Sequence, residues 1–172
     1  FFAPQTTPNC ETKAFYMQDE IVVFVNDGLS TSIYQSKDGK QWEKNTQTVA
    51  TLPVPCHVRD ILQHGNDLYY IDGMSLYTSS DLITWKKKDY SAASFTPINM
   101  LVSYDKNPWC IVQDKVSQEL MLATIMGDSI ELRTDINGLD GGVLPADFPI
   151  SDFAALEFSS SSERPRAMVV GG

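Results

Sequence analysis

The sequence lacks several features that would assign it to a known class of site or membrane protein. Its 172 residues contain no run of 18 or more apolar residues, which is the length that a membrane-spanning helix needs. There are two histidines, His57 and His64, and they are not spaced as metal ligands are. A Gly-x-Ser-x-Gly elbow and a Gly-rich phosphate loop are both absent. We therefore expect no membrane span, no metal site, no cofactor and no catalytic nucleophile of the hydrolase type.

Basic residues are scarce, with 13 Lys and Arg against 22 Asp and Glu, so the formal net charge is −9. Binding to nucleic acid depends on clustered Lys and Arg side chains that neutralise phosphates. The chain has two short basic clusters, Lys86-Lys87-Lys88 and Arg164 with Arg166, and we expect the first to lie on an exposed outer strand. The charge pattern therefore argues against nucleic acid as a partner.

Cysteine is also scarce. The three cysteines, Cys10, Cys56 and Cys110, are odd in number and do not make a disulfide framework. Cys10 and Cys56 each precede the first strand of a repeated segment, so the sequence allows one bridge between them. Buried free thiols are the simpler interpretation. The pattern leaves the redox compartment open.

What the chain does contain is an internal repeat. The segment Ser36–Trp42 (SKDGKQW) returns as Ser79–Trp85 (SSDLITW), 43 residues later, with an apolar strand before each copy and a charged strand after it. Repeats of this length are typical of bladed or solenoid proteins, whose units bury their apolar faces against neighbouring units. Short segments rich in β-branched and aromatic residues alternate with turns, and no segment has a sustained helical period. The predicted fold is all-β with little helix.

Four segments marked by proline divide the chain into the predicted blades of a β-propeller, at residues 8–54, 55–96, 97–148 and 149–172. Each of the first three segments offers four short strands, and the fourth offers the start of another blade. A β-sandwich is the alternative for short strands at this spacing. Because about three and a half blades do not close a ring of the usual size, we expect one partial propeller domain over residues 1–172, with the remaining blades supplied by the same or another chain.

The two copies of the repeat resemble the Asp-box, a hairpin turn found in sialidase-type propellers and in many other folds. The resemblance rests on four residues in the first copy and three in the second: Ser36, Asp38, Gly39 and Trp42, then Ser79, Asp81 and Trp85. Short polar side chains hydrogen-bond the turn backbone, glycine accepts a positive φ, and the Trp ring packs between adjacent sheets. Leu82 stands where the motif has glycine, so we expect strain or a different turn in the second copy. The motif predicts a structural role and no chemistry.

The end of the chain, Met168–Gly172, resembles the strand-then-Gly-Gly signature of kelch-type blades. Together with the two Asp-box-like turns and the linker Phe148–Phe153, it resembles a group of uncharacterised propeller domains in exported and surface lipoproteins of gut bacteria. This resemblance implies a ring of about six to eight blades located outside the cytoplasm, secreted or anchored at the surface. It implies no assigned activity.

The residues argue against two kinds of site, a sialidase active site and a calcium loop. A sialidase needs three arginines that grip a carboxylate, and the nearest match to its Arg-Ile-Pro signature is Arg164-Pro165-Arg166. The turn Asp135–Gly142 has oxygen ligands at Asp135 and Asn137, as a calcium loop would, but Leu139 occupies the third ligand position. We therefore predict no catalytic and no metal-binding residues in this chain.

A binding surface in a propeller would lie where the innermost strands and their loops meet the central channel. Five side chains are candidates for this surface: Arg59, Asp60, Tyr104, Asp105 and Trp109. We place Arg59 and Asp60 on the innermost strand of the second segment, and the other three around a turn in the third. Ordinary channel lining is the alternative reading of all five.

The function we predict is a non-catalytic binding or interaction module of an exported protein, with a glycan or a protein as its ligand. The alternative hypothesis is a carbohydrate-active hydrolase, sialidase-like or another glycosidase, with most of its catalytic residues outside this segment. The fold alone does not separate these two functions.

Overall fold

The computed structural model describes residues 10–45, 56–104, 106–133, 143–144, 152–156 and 166–170, the last three ranges as backbone only. Within these residues the chain forms fifteen β-strands and one 3₁₀ turn, Val58–Asp60. None of the helical structure in this part of the chain is long and apolar enough to cross a membrane.

The strands form three sheets and one hairpin. The first sheet holds β1 (Glu11–Met17), β2 (Glu20–Asn26), β3 (Thr31–Ser36) and β4 (Glu43–Asn45). The second holds β5 (Leu62–His64), β6 (Asp67–Asp72), β7 (Ser75–Ser79) and β8 (Lys86–Asp89). The third holds β9 (Phe95–Tyr104), β10 (Asn107–Asp114), β11 (Leu120–Met126), β12 (Ser129–Leu132) and β13 (Val143–Leu144). The hairpin is β14 (Asp152–Leu156) with β15 (Arg166–Val170).

Each sheet is an antiparallel meander whose strands lie in the order of the sequence. In the third sheet β12 and β13 share the outer edge of β11, β12 pairing from Ala123 onward and β13 pairing with Leu120 and Met121. Three four-stranded meanders in a row, with one short strand added to the third, confirm the predicted all-β fold of consecutive propeller blades. The blade limits given above stay predictions, and β9 begins at Phe95, ahead of the third of them.

The sheets pack face to face because strand residues alternate between the two faces. In β6, Leu68 and Tyr70 belong to the apolar core shared with the first sheet, whereas Tyr69 and Ile71 belong to the core shared with the third sheet. The second sheet is therefore covered on both faces. This explains why β6 is apolar at consecutive positions, as strands buried on both sides are.

The first core fills the space between the first and second sheets. Phe15 on β1 and Phe24 on β2 pack edge to face, with their ring centroids 5.6 Å apart. Trp85 of the second sheet packs edge to face on Phe24 at 6.4 Å. Edge-to-face contacts of this kind add about 0.5–1.5 kcal/mol to the free energy gained by burying the rings. Aromatic contacts thus join the first two sheets.

The alternating strand directions give each sheet two sides. We call the entry side the one at which the first strand of each sheet begins. The turns after β2, β6 and β10 lie on the entry side, and the two copies of the Trp repeat lie on the opposite side. Hydrogen bonds tie neighbouring sheets together on the entry side: Asn26 Nδ2 donates to the Cys56 carbonyl at 2.6 Å, and Lys115 Nζ donates to the Ser91 carbonyl at 2.7 Å.

The three thiols are free, so the structure does not contain the Cys10–Cys56 disulfide that the sequence allowed. Cys10 is half-buried, whereas Cys56 and Cys110 are buried. Burial raises the pKa of Cys110 to about 12 and also raises the pKa of Cys56. The two buried thiols therefore behave as small apolar side chains rather than as nucleophiles.

Candidate functional site

The first strands of three consecutive sheets meet at a cluster of polar side chains on the entry side. We call this the inner polar cluster and define it by Glu11, Lys13, His57, Asp60 and Asn99. Glu11 and Lys13 lie on β1 and Asn99 lies on β9. His57 precedes the 3₁₀ turn before β5, and Asp60 is the last residue of that turn.

The sequence places charged residues here by strand alternation. In β1, Glu11 and Lys13 share a face with Phe15 and Met17, which are buried against the second sheet. The 3₁₀ turn closes through two backbone hydrogen bonds, from Asp60 N–H to the His57 carbonyl at 3.0 Å and from Ile61 N–H to the Val58 carbonyl at 3.3 Å. The turn thereby brings Asp60 up to the charged end of β1.

Hydrogen bonds join the three sheets through this cluster. Lys13 Nζ donates to the Arg59 carbonyl at 2.6 Å, and Asn99 Nδ2 donates to Asp60 Oδ2 at 2.9 Å. His57 Nδ1 lies 3.5 Å from Glu11 Oε1. Each contact crosses from one sheet to the next, so the cluster is a junction between blades as well as a polar surface.

Two acceptor atoms in the cluster have no hydrogen-bond partner among the described residues. These are Glu11 Oε2 and Asn99 Oδ1, and both atoms are buried. A buried acceptor without a donor costs about 1–3 kcal/mol, so these two atoms offset part of the stability that the other hydrogen bonds of the cluster contribute.

The charges of the cluster shift one another's ionisation. Burial lowers the pKa of Lys13, and the negative charge of Asp60 opposes this effect. Burial also raises the pKa of Asp60, and the positive charge that His57 acquires on protonation opposes that shift. The Glu11 carboxylate raises the pKa of Asp60 further. Asp60 is therefore protonated more readily than an ordinary aspartate.

The structure corrects the predicted position of Arg59 and Asp60. They lie in the 3₁₀ turn and not on the innermost strand, which begins only at Leu62. Both side chains are exposed. The turn forms because His57 and Val58 offer their carbonyls to residues three positions on, as in a 3₁₀ turn, and hydrophobic pattern alone does not distinguish this from the start of a strand.

Trp109 lies on the strand that follows the predicted turn, and the structure shortens that turn. Trp109 lies inside β10, paired with Val102 and Thr124, and only 5% of it is exposed. The strand includes Pro108, which pairs with Ser103, so the turn ends earlier than predicted. The Arg133 guanidinium lies over the Trp109 ring, 5.0 Å from its centroid. Trp109 therefore packs within the protein.

The remaining two candidates are not tested. The side chain of Tyr104 and the whole of Asp105 lie outside the described residues, as does the turn Asp135–Gly142. Sequence reasoning missed Glu11, Lys13 and Asn99. A signal was present for the first two, because charges at alternate positions on the core-facing side of a strand are unusual.

The two copies of the Trp repeat form the same turn; we call them the Ser36 turn (residues 36–42) and the Ser79 turn (residues 79–85). In the first, the Ser36 hydroxyl accepts the Gly39 N–H at 2.9 Å, and Asp38 Oδ1 accepts the N–H groups of Lys40 and Gln41 at 2.8 and 2.9 Å. The two side chains also bond each other, since Ser36 Oγ donates to Asp38 Oδ1 at 3.2 Å.

The Ser79 turn repeats this network atom for atom. The Ser79 hydroxyl accepts the Leu82 N–H at 3.1 Å, and Asp81 Oδ1 accepts the N–H groups of Ile83 and Thr84 at 2.9 and 2.7 Å. Leu82 has a φ of +68°, close to the +71° of Gly39. The second copy therefore keeps the same turn despite the leucine, and accepts a backbone conformation that side chains disfavour.

No group of three or more His, Cys, Asp or Glu side chains in the described part of the chain is arranged to hold a metal ion. The inner polar cluster has two carboxylates, Glu11 and Asp60, and the positive charge of Lys13 beside them disfavours a bound cation.

Comparison with known proteins places the domain in a family. No curated protein and no solved structure matches the chain significantly. A family model does match it, over residues 3–172, and that model is described as the DUF6242 beta propeller domain. The match covers almost the whole chain and agrees with the three consecutive four-stranded sheets. The chain therefore belongs to the DUF6242 family of β-propeller domains.

Proposed function

We propose that this domain is a non-catalytic binding module whose contact surface is the inner polar cluster. The observation that carries the proposal is that three blades meet at the inner polar cluster. Hydrogen-bond donors, hydrogen-bond acceptors and charges of both signs lie side by side there. Surfaces of this kind suit a ligand with many hydroxyl or amide groups, so the ligand is a glycan or a protein.

We also propose that the domain works outside the cytoplasm, in a secreted or surface-anchored protein. The support is the resemblance of the Ser36 and Ser79 turns to the Asp-box, together with the resemblance of the chain to exported propeller domains. The kelch-like end at Gly171-Gly172 lies outside the described residues. The remaining blades of the ring would come from the same or another chain.

A hydrolase is the second candidate, because one observation favours it. Asp60 has a raised pKa beside a second carboxylate, Glu11, and glycosidases use a proton-donating carboxyl group next to an ionised one. The hydrogen bond from Asn99 Nδ2 counts against this role, since it stabilises the ionised form of Asp60. We therefore keep binding without turnover as the proposed function.

A glycan array and a panel of immobilised peptides, both probed with the intact protein, test the proposal. We expect some probes to be retained without being cleaved. Asp60→Asn and Asn99→Ala should lower that retention by about tenfold, since each removes one hydrogen bond at a polar contact. Asp128→Asn is the matched control, because Asp128 is exposed on the opposite side, in the turn after β11.

Two outcomes would contradict the proposal. If Asp60→Asn and Asn99→Ala leave the retention of every probe unchanged, the inner polar cluster is not the contact surface. If mass spectrometry shows probe glycans shortened by the wild-type protein but not by Asp60→Asn, the domain is a hydrolase. Melting temperatures of all variants are compared with that of the wild type to exclude unfolding as the cause.

A further inference from the structure

Three turns on the entry side share a short sequence pattern that the function proposed above does not use. The turns after β2, β6 and β10 read Asp27–Ser30 (DGLS), Asp72–Ser75 (DGMS) and Asp114–Ser117 (DKVS). Each has aspartate first, an apolar residue third and serine fourth. The same turn of each blade therefore carries one apolar side chain at the same place.

These apolar side chains point into solvent. Leu29 is 86% exposed, Val116 is 92% exposed and Met74 is 42% exposed. Single exposed apolar residues are ordinary on a protein surface. Three at corresponding positions of three consecutive blades form a repeated pattern, and exposed apolar side chains that occur together are a feature of interaction sites.

The two longer turns are held rigid by their aspartates. Asp27 Oδ1 accepts the N–H groups of Leu29 and Ser30 at 2.9 and 2.7 Å. Asp114 Oδ1 accepts the N–H groups of Val116 and Ser117 at 2.8 Å each. A turn that is already ordered loses little conformational entropy when a partner binds. The backbone that carries Leu29 and Val116 is therefore preorganised for binding.

Contacts between the sheets hold the turns of Met74 and Val116 on one surface. The Met74 carbonyl accepts the Tyr90 N–H at 2.7 Å. Lys115, next to Val116, donates through Nζ to the carbonyls of Ser91 and Ala93 at 2.7 and 2.8 Å. Both turns are thus fastened to the same connection between the second and third sheets. In the first sheet, Asn26 precedes its turn and bonds the corresponding connection at Cys56.

The carboxylates of Asp27 and Asp114 begin two of these turns, whereas the amine of Lys115 is bound to backbone carbonyls. Hydrogen bonds from the N–H groups of Leu29 and Ser30 hold the pKa of Asp27 below its usual value, and those from Ser117 and Val116 do the same for Asp114. Both carboxylates are therefore ionised at neutral pH, in a chain whose formal net charge is −9. A surface of apolar side chains beside carboxylates is complementary to apolar side chains beside Lys or Arg.

We propose that Leu29, Met74 and Val116 form a docking surface for a polypeptide partner that carries apolar side chains next to Lys or Arg. The proposal rests on the proposed role as a binding module, but not on the inner polar cluster. The three side chains supply apolar contact, and Asp27 and Asp114 select for positive charge. The surface extends the entry side outward from the cluster, so one partner protein could contact both.

Short synthetic peptides on a sensor surface test this proposal with the intact chain. One peptide alternates leucine with lysine, a second alternates leucine with glutamate, and a third alternates serine with lysine. We expect retention of the first alone. The double variant Leu29→Ser with Val116→Ser should weaken this retention by about tenfold or more, and added salt should weaken it too.

The matched control is Tyr16→Ser with Met126→Ser, which removes two exposed apolar side chains on the opposite side. Retention that falls equally in this control, or equal retention of the leucine–glutamate peptide, would overturn the proposal. So would binding to anionic lipid vesicles, or self-association in size-exclusion chromatography, that Leu29→Ser with Val116→Ser abolishes. If Asp60→Asn lowers glycan retention while Leu29→Ser with Val116→Ser leaves peptide retention unchanged, the proposed function stands and the docking surface fails.

Discussion

The Ser36 and Ser79 turns have the same hydrogen bonds from their Ser and Asp side chains but different surroundings. Trp85 is 3% exposed and packs on Phe24 of the first sheet, whereas Trp42 is half-buried and its Nε1 donates to the Gly39 carbonyl at 3.2 Å. The Ser and Asp side chains therefore build the turn locally, and the neighbouring sheet decides how much the Trp contributes to stability.

The residue that follows the aspartate is Gly39 in one turn and Leu82 in the other, and this difference also depends on burial. Leu82 is 1% exposed and belongs to the core between the first and second sheets. Gly39 lies at an exposed position, where a side chain at φ +71° would be strained without such burial. A left-handed residue other than glycine costs about 1–2 kcal/mol, and burying a leucine side chain contributes about 1.5–3 kcal/mol. Burial thus offsets the strain in one turn and has no counterpart in the other.

Truncating the two Trp side chains gives the largest difference between the turns. We expect Trp85→Ala to lower the free energy of unfolding by about 3–5 kcal/mol, since it removes a buried ring from the first core. Trp42→Ala should cost clearly less because that ring is half-buried. Urea unfolding monitored by circular dichroism measures both. Equal losses would mean that the two turns have equivalent surroundings.

Exchanging the residues at the left-handed position gives a smaller effect. Leu82→Gly should destabilise the protein by about 1–3 kcal/mol, because the lost burial exceeds the relief of backbone strain. Gly39→Ala should cost about 1 kcal/mol, from strain alone, since the nearest atom to an added Cβ, Ile21 Cδ1, lies at an ordinary 3.6 Å. A Leu82→Gly protein more stable than the wild type would show that strain dominates in the second turn.

The pH dependence of the two turns gives the smallest effect and should be alike in both. The N–H groups of Gln41 and Lys40 lower the pKa of Asp38 from 3.8. For Asp81, burial acts to raise the pKa, but the N–H groups of Thr84 and Ile83 outweigh it and the pKa is also lowered. A depressed pKa in the folded state stabilises the protein above the unfolded value, and this stability is lost as the pH falls below about 4.

Asp38→Asn and Asp81→Asn each therefore should reduce the loss of stability on acidification, by similar amounts. Urea midpoints measured at neutral pH and at successively lower values down to about pH 2 check this. If only Asp81→Asn changes the acid dependence, the exposed turn does not keep its hydrogen bonds in solution.

The sequence predicted the blades because their signals are local. The 43-residue repeat of Ser, Asp and Trp, and the alternation of apolar residues along each strand, both act within one sheet. It failed where backbone hydrogen bonding decides the element. Arg59 and Asp60 lie in a 3₁₀ turn instead of on a strand, and Pro108 belongs to β10 instead of the turn before it. Neither change alters the hydrophobic pattern.

The amino-acid sequence by itself determined the turns, because the side chains of Ser36, Asp38, Ser79 and Asp81 bond groups within three residues of themselves. Only the tertiary structure decided which Trp is buried and which polar side chains meet. The inner polar cluster joins β1, the 3₁₀ turn and β9, which are far apart along the chain and come together only when the sheets pack. Burial and charge pairing between distant residues depend on that packing, so they cannot be predicted from short-range sequence patterns.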